Sequence, residues 1–261
     1  MQSFLLTEDD SFCAPIVFDL KTKVAQKEEK FKTQKDSMFD SKFFGPEKIF
    51  EDFVDLIRSS LKSKNNQNRF FVGLVQATMS GKTRLILEAS MKHPIVLISF
   101  KKGNDTFYSS LLQSLSIHQT EPCSNFEQRQ FHNRIIMIKV KLFILAFFEF
   151  TLLFQRHIVG SNSNWESVDR MKKIILFSQL INGGNPLIFK IFKKHIDDLK
   201  EVNKNNVVEL SEVIDKDFQT ISKELGSPWI AFDECHVPQV HCQGLLFQSN
   251  YENFQKVIST F

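Results

Sequence analysis

The chain has 261 residues, 42% of them hydrophobic and 24% charged, which is enough to bury one large core or two small ones. Its net charge of +3 is too mild for an electrostatic footprint on nucleic acid, so nucleic acid is not an expected partner. The four cysteines, Cys13, Cys123, Cys235 and Cys242, lack disulfide-framework spacing and argue against a stapled secreted domain.

Phenylalanine is in excess, 28 residues against two tryptophans and two tyrosines, which speaks for an apolar core rather than an aromatic binding platform. The first ten residues turn acidic before an export-length apolar run forms. With the free cysteines, this places the protein in a reducing intracellular compartment, cytoplasmic or nuclear. Residues 1–45 mix charged and apolar side chains, with a charged stretch around 21–35, and are expected to form a partly ordered lead-in. After Gly45-Pro46, Ile49, Phe50, Phe53, Leu56, Ile57 and Leu61 recur at helical spacing and predict a helix over 47–62. The polar run Asn65-Asn66-Gln67-Asn68 ends it.

Residues 69–75 form a short apolar run with β-branched and aromatic members, a predicted buried strand. A helix follows over 83–92, with Leu85, Ile86 and Ala89 on one face. His93-Pro94 breaks it, and 95–100 is the second predicted strand. A strand, helix and strand in so short a span make a βαβ unit with parallel strands.

From 105 to 225 the periodicity is helical. Ile188, Phe192, Ile196 and Leu199 trace one stripe; Val207, Leu210, Ile214, Phe218, Ile221 and Leu225 trace another. Within this stretch, 135–154 is apolar over most of the ~20 residues that a bilayer crossing needs. Lys139, Lys141 and Glu149 interrupt it, and internal charge is costly in lipid, so a buried helix is expected and a membrane is not an expected partner. Gly226-Ser227-Pro228 closes the helical stretch. Trp229-Ile230-Ala231-Phe232 reads as a third buried strand ending in Asp233-Glu234, and 251–261 reads as a helix. The resulting division is a lead-in at 1–45, a first part of an α/β core at 46–118, a helical insertion at 119–225 and a second part of the core at 226–261.

Two short segments carry chemistry. In Val75-Gln76-Ala77-Thr78-Met79-Ser80-Gly81-Lys82-Thr83, a Gly-Lys-Thr follows a small residue, with an apolar strand running in and an apolar helix running out. Main-chain N–H groups can close on phosphates only where side chains are small. The Lys82 ammonium suits β- and γ-phosphate charge, and the Thr83 hydroxyl suits Mg²⁺. In the second segment, Asp233 ends a buried strand at the carboxyl edge of the sheet, where ligands of open α/β folds bind. Asp233 would hold the metal through its water shell, and Glu234 would orient or deprotonate the attacking water.

Together these segments resemble the Walker A and Walker B boxes of the P-loop NTPase superfamily, in its additional-strand branch of AAA+ and STAND type. The first position departs from the pattern, with Gln76 in place of Gly. The run from Val75-Gln76 to Ser80-Gly81-Lys82-Thr83-Arg84 is also similar to a group of eukaryotic P-loop proteins of fungi, oomycetes and protists. Some of these are attached to Crinkler-type effectors and carry a Gln-containing, Ser-Gly-Lys-rich loop followed by Arg. The resemblance is local, over 46–110 and 226–240. It implies an α/β fold with a three-layer P-loop core, a parallel sheet and a large helical insertion. It also implies ATP as ligand or substrate, Mg²⁺ on Thr83 and Asp233, and a nucleotide cradle from Gln76, Ala77, Thr78, Met79, Ser80, Gly81, Lys82, Thr83 and Arg84. Lys82 and Glu234 are the catalytic candidates. A protein partner or self-assembly fits the family, and the sequence names neither.

Other readings compete for the same residues. Asp233-Glu234-Cys235-His236 has the form of the DExH box of superfamily 2 helicases, and Ala77-Thr78-Met79-Ser80-Gly81-Lys82-Thr83 is similar to their first motif. Residues 95–103 lack a Pro-Thr-Arg-Glu-Leu-like strand-binding motif, and a second RecA-like domain is missing. Cys235, His236, His241 and Cys242 are zinc-competent, but their spacing would crowd one tetrahedral ion. His93, His118, His132, His157 and His195 stand singly and read as surface or core histidines. In the additional-strand order 5-1-4-3-2, two strands should follow Asp233-Glu234. The short stretch left predicts a sheet incomplete at the C-terminus, marginal stability and poor turnover. Hydrolysis, a nucleotide-dependent switch with little turnover and a degenerate fragment all stay open at this point.

Overall fold

The computed structural model describes residues 3–7, 11–33, 47–62, 82–90, 92–99, 126–159, 186–199 and 206–233. In chain order these form α1 (Cys13–Thr33), α2 (Glu47–Lys62), α3 (Lys82–Ser90), β1 (Ile95–Ser99) and α4 (Phe126–Phe154), which runs into a π-helical turn at Gln155–Val159. They continue with α5 (Pro186–Asp198), α6 (Val207–Glu224) and β2 (Trp229–Asp233). The strand expected at 69–75 and the helix expected at 251–261 lie outside the described residues.

The sheet brings together two segments far apart in the chain. β1 and β2 pair in parallel, with Ile95 opposite Trp229 and Ser99 opposite Asp233. Side chains alternate between the two faces of a strand, and the alternation sorts the core. Ile95, Leu97, Trp229 and Ala231 join Phe50, Phe53 and Val54 of α2 and Ile86 and Ala89 of α3 in a small cluster. Val96, Ile98 and Ile230 join the larger cluster built by α1, α4, α5 and α6. Two strands with helices on both faces thus make three layers.

α4 is the axis of the larger layer. Between Ile135 and Phe154 only Met137 and Leu152 escape full burial. A helix buried all round has no amphipathic stripe, and it is held by neighbours on every side. Much of the phenylalanine excess is spent here. Phe143 meets Phe147 and Phe192 edge-on at 5.1 and 5.6 Å, and Phe148 meets Phe218 at 5.5 Å. Each such pair adds roughly 0.5–1.5 kcal/mol beyond the area it buries.

The charges that interrupt the apolar run are used for docking. Lys141 reaches Asp215 at 2.5 Å and Ser211 at 3.0 Å, both on α6. Glu149 meets His195 of α5. Burial alone pushes the Lys139 ammonium below the usual lysine range. Among the described residues no helix is long and apolar enough to cross a membrane.

Two further features were not read from the sequence. Within the stretch taken as a lead-in, α1 buries Cys13, Ile16, Leu20 and Val24, spaced three and four apart, in the larger core. The junction of α6 with β2 is a Schellman turn, in which Gly226 N–H donates to Lys223 O and Ser227 N–H to Ser222 O. Gly226 (φ 78°) and Ser227 (φ 56°) are both left-handed, and the turn delivers the chain straight into β2.

Candidate functional site

The expected nucleotide site falls partly on the described residues. Gln76, Ala77, Thr78, Met79, Ser80 and Gly81 lie outside them, as does Glu234. Lys82, Thr83 and Arg84 are the first three residues of α3. Asp233 is the last residue of β2 and pairs in register with Ser99 at the end of β1.

α3 is tied to the sheet at its far end. Lys92 and His93 both donate N–H to Ala89 O at 3.0 Å, turning the chain toward Pro94 and β1. Ile86 and Ala89 then lie in one cluster with Ile95 and Leu97, so the helix folds back along the strand. Its opening turn is the end remote from that connection. Asp233 and Ser99 likewise sit at the strand ends remote from it, because Trp229 N–H bonds Pro94 O beside the turn. The pairing of β1 with β2 is therefore what relates the two chemical segments.

The electrostatics of the helix opening are unusual. The first turn of α3 holds no acidic residue and includes Lys82 and Arg84. A helix N-terminus is the positive end of the macrodipole, and each cation there is unfavourable by about 0.3–1 kcal/mol unless an anion offsets it. The first N–H groups of the helix also lack intrahelical acceptors. An anion bound at this end would answer both deficits.

The remaining titratable groups resolve differently. His93 stacks on the Trp229 indole with ring centroids 4.1 Å apart, beside the strand pair's first residues. Burial is the main cause that lowers its pKa, Arg58 adds to it, and a hydrogen bond with the Ser227 backbone works against it. His195 is fully buried and 2.6 Å from Glu149. A cavity of about 360 Å³ lies where α1 meets the π-helical turn, lined by Cys13, Val17, Phe18, Lys21 and His157 among others. None of the expected nucleotide-site residues lines it. Cys235, His236, His241 and Cys242 lie outside the described residues. Among the described residues no cluster of His, Cys, Asp or Glu could hold a metal ion.

No family model, curated protein or solved structure matches the chain.

Proposed function

We propose that this chain binds a nucleoside triphosphate with Mg²⁺ through the segment 76–84 and Asp233, and hydrolyses it with the help of Glu234. The observation that carries the reading is the position of Lys82 and Thr83 at the opening of a helix packed on the sheet that Asp233 ends. Lys82 would neutralise phosphate charge at an N-terminus that holds two cations and no acid. Thr83 and Asp233 would hold the metal, whose role is to offset charge on the β- and γ-phosphates. Asp233 suits this role by its residue type and its place at the end of a strand. Glu234, the next residue, would orient water or take its proton.

Titration calorimetry with ATP and with GTP, read beside thermal unfolding with and without Mg²⁺, tests the proposal. Wild type should gain stability as nucleotide rises above Kd, by about 2.7 kcal/mol at a hundredfold excess, and Lys82→Ala should gain none. Glu234→Gln should keep that gain and lose phosphate release. Retained binding in wild type with no release at all would leave a nucleotide-dependent switch. Equal behaviour of wild type and Lys82→Ala would remove the site altogether.

A further inference from the structure

The residues of β2 ahead of Asp233 are Trp229, Ile230, Ala231 and Phe232, so no polar residue among them marks one face of the strand from the other. Its neighbour β1 likewise runs Ile95, Val96, Leu97 and Ile98 before Ser99. Apolar layers cover both faces of the pair, α2 and α3 on one side and α1, α4, α5 and α6 on the other. A strand slipped by one residue would still bury apolar side chains on each face, so burial alone selects the register weakly. The slip would nevertheless carry position 233 from the face of Trp229 and Ala231, which α2 and α3 cover, to the face of Ile230.

What distinguishes the observed register lies at the other end of the strand, about 13 Å from Asp233 at the ordinary strand rise. Trp229 N–H donates to Pro94 O at 2.9 Å. The Trp229 indole lies against the His93 imidazole, with ring centroids 4.1 Å apart and planes 31° from parallel. Among the described residues the buried Trp229 Nε1 has no hydrogen-bond partner, so ring contact and not its N–H sets the place of the indole. His93 is itself hydrogen-bonded with the backbone of Ser227, in the left-handed turn that leads into β2. A slip by one would set Pro228 or Ile230 opposite Ile95 in place of Trp229. Either slip loses the stack, and Pro228 has no N–H to offer Pro94.

We infer that His93 and Trp229 are positioning residues for the metal end of the nucleotide site: their stack locks β2 in the one register that sets Asp233 on the α3 side of the sheet. The inference rests on the nucleotide reading above and adds to it how the acid is placed. Lys82 and Thr83 come to the site by a different route, through α3, whose far end is bonded at Ala89 O to the turn before β1. The stack therefore has a signature of its own. It governs the metal-dependent part of nucleotide binding and leaves the metal-free part, carried by the helix opening, as it is. Groups that orient a metal ligand are typically worth about 10–100-fold in metal affinity.

Calorimetric titration of the full chain with ATP, first in EDTA and then in Mg²⁺, tests it. His93→Ala removes the stack, whereas His93→Phe keeps a ring on the indole. In His93→Ala the affinity gained on adding Mg²⁺ should fall by about tenfold or more, with metal-free affinity unchanged. His93→Phe should keep the wild-type gain. An undiminished gain in His93→Ala overturns the inference, and so does an equal loss of metal-free affinity or a failure of His93→Phe to restore the gain. If His93→Ala does not fold, hydrogen exchange of wild type decides. Adding Mg²⁺ to the ATP-saturated chain should protect the Trp229 amide more than the amides of α6, because coupling between two sites is reciprocal. Protection no greater than that of α6 overturns the inference. A wild type that binds no ATP in either buffer marks the failure of the nucleotide reading itself and removes the inference with it.

Discussion

Single side chains show most clearly what a local reading reaches. Lys139, Lys141 and Glu149 stand out in the sequence as interruptions of an apolar run, and a buried helix follows from them. Their partners do not follow. Asp215 is 74 residues from Lys141, His195 is 46 from Glu149, and the Leu6 amide is 143 from it. Such pairings are fixed by packing, which no local window contains. His195 illustrates the same limit, since it reads as a lone histidine until α5 is laid on α4.

His93 gives a prediction at this scale. Its folded pKa lies below the unfolded value, so the unfolded chain binds more protons in the window between them. Its contribution to stability is complete above about pH 6.5 and is lost as pH falls through the window to the lower, folded value. His93→Phe keeps a ring against Trp229 and removes the titration. The urea midpoint of wild type should fall more steeply from about pH 7 to about pH 5 than that of the variant. Parallel slopes would show that burial of this imidazole is not coupled to folding.

Among the elements, those with a clean apolar stripe were legible. Ile188 and Phe192 of α5, Leu199 just beyond its end, and Leu210, Ile214, Phe218 and Ile221 of α6 are buried as their spacing predicts. In α2, by contrast, Phe50 and Phe53 pack on the core with the unread Val54, and Leu56 is 52% exposed. α1 was not legible, because its four core positions share the helix with lysines and with Phe18, which is 71% exposed. The π-helical turn after α4 left no periodic trace either. The stop at 226–228 was legible as Gly-Ser-Pro, although its Schellman form was not. A methyl group at Gly226 would meet Pro94 Cγ at 3.6 Å, an ordinary contact, so only the left-handed φ resists it. Gly226→Ala should therefore lower stability by about 1 kcal/mol in denaturant titration. A loss of several kcal/mol would mean that packing on Pro94, rather than the backbone angle, selects the glycine.

At the scale of the whole molecule, one short strand serves two cores. Ile98 belongs to the larger cluster and Ile95 to the smaller one. Ala substitution at either should cost about 2–5 kcal/mol, and both should shift one and the same thermal transition. Two separate transitions would mean that the layers on opposite faces of the sheet unfold independently. The two strands were legible as apolar runs bounded by turn residues, but their pairing with each other was not, since the parallel unit expected was 69–75 with 95–100. The candidate nucleotide site is read from residue types and order, Gln76 to Arg84 and Asp233-Glu234. Of its residues, the described ones are Lys82, Thr83 and Arg84 at the opening of α3 and Asp233 at the end of β2.

The pairing of β1 with β2 also bears on how the chain reaches its native state. α4, α5 and α6 all intervene between the two strands, so their meeting closes a very long loop. That entropy loss is repaid only after the intervening helices have drawn the ends together. Refolding should accordingly be sequential: the circular-dichroism signal of helices returns first, and the indole of Trp229 reaches its final fluorescence later, when it settles against His93. A Trp165→Phe background would isolate that reporter, and simultaneous recovery of both signals would mean that the strands join during the initial collapse.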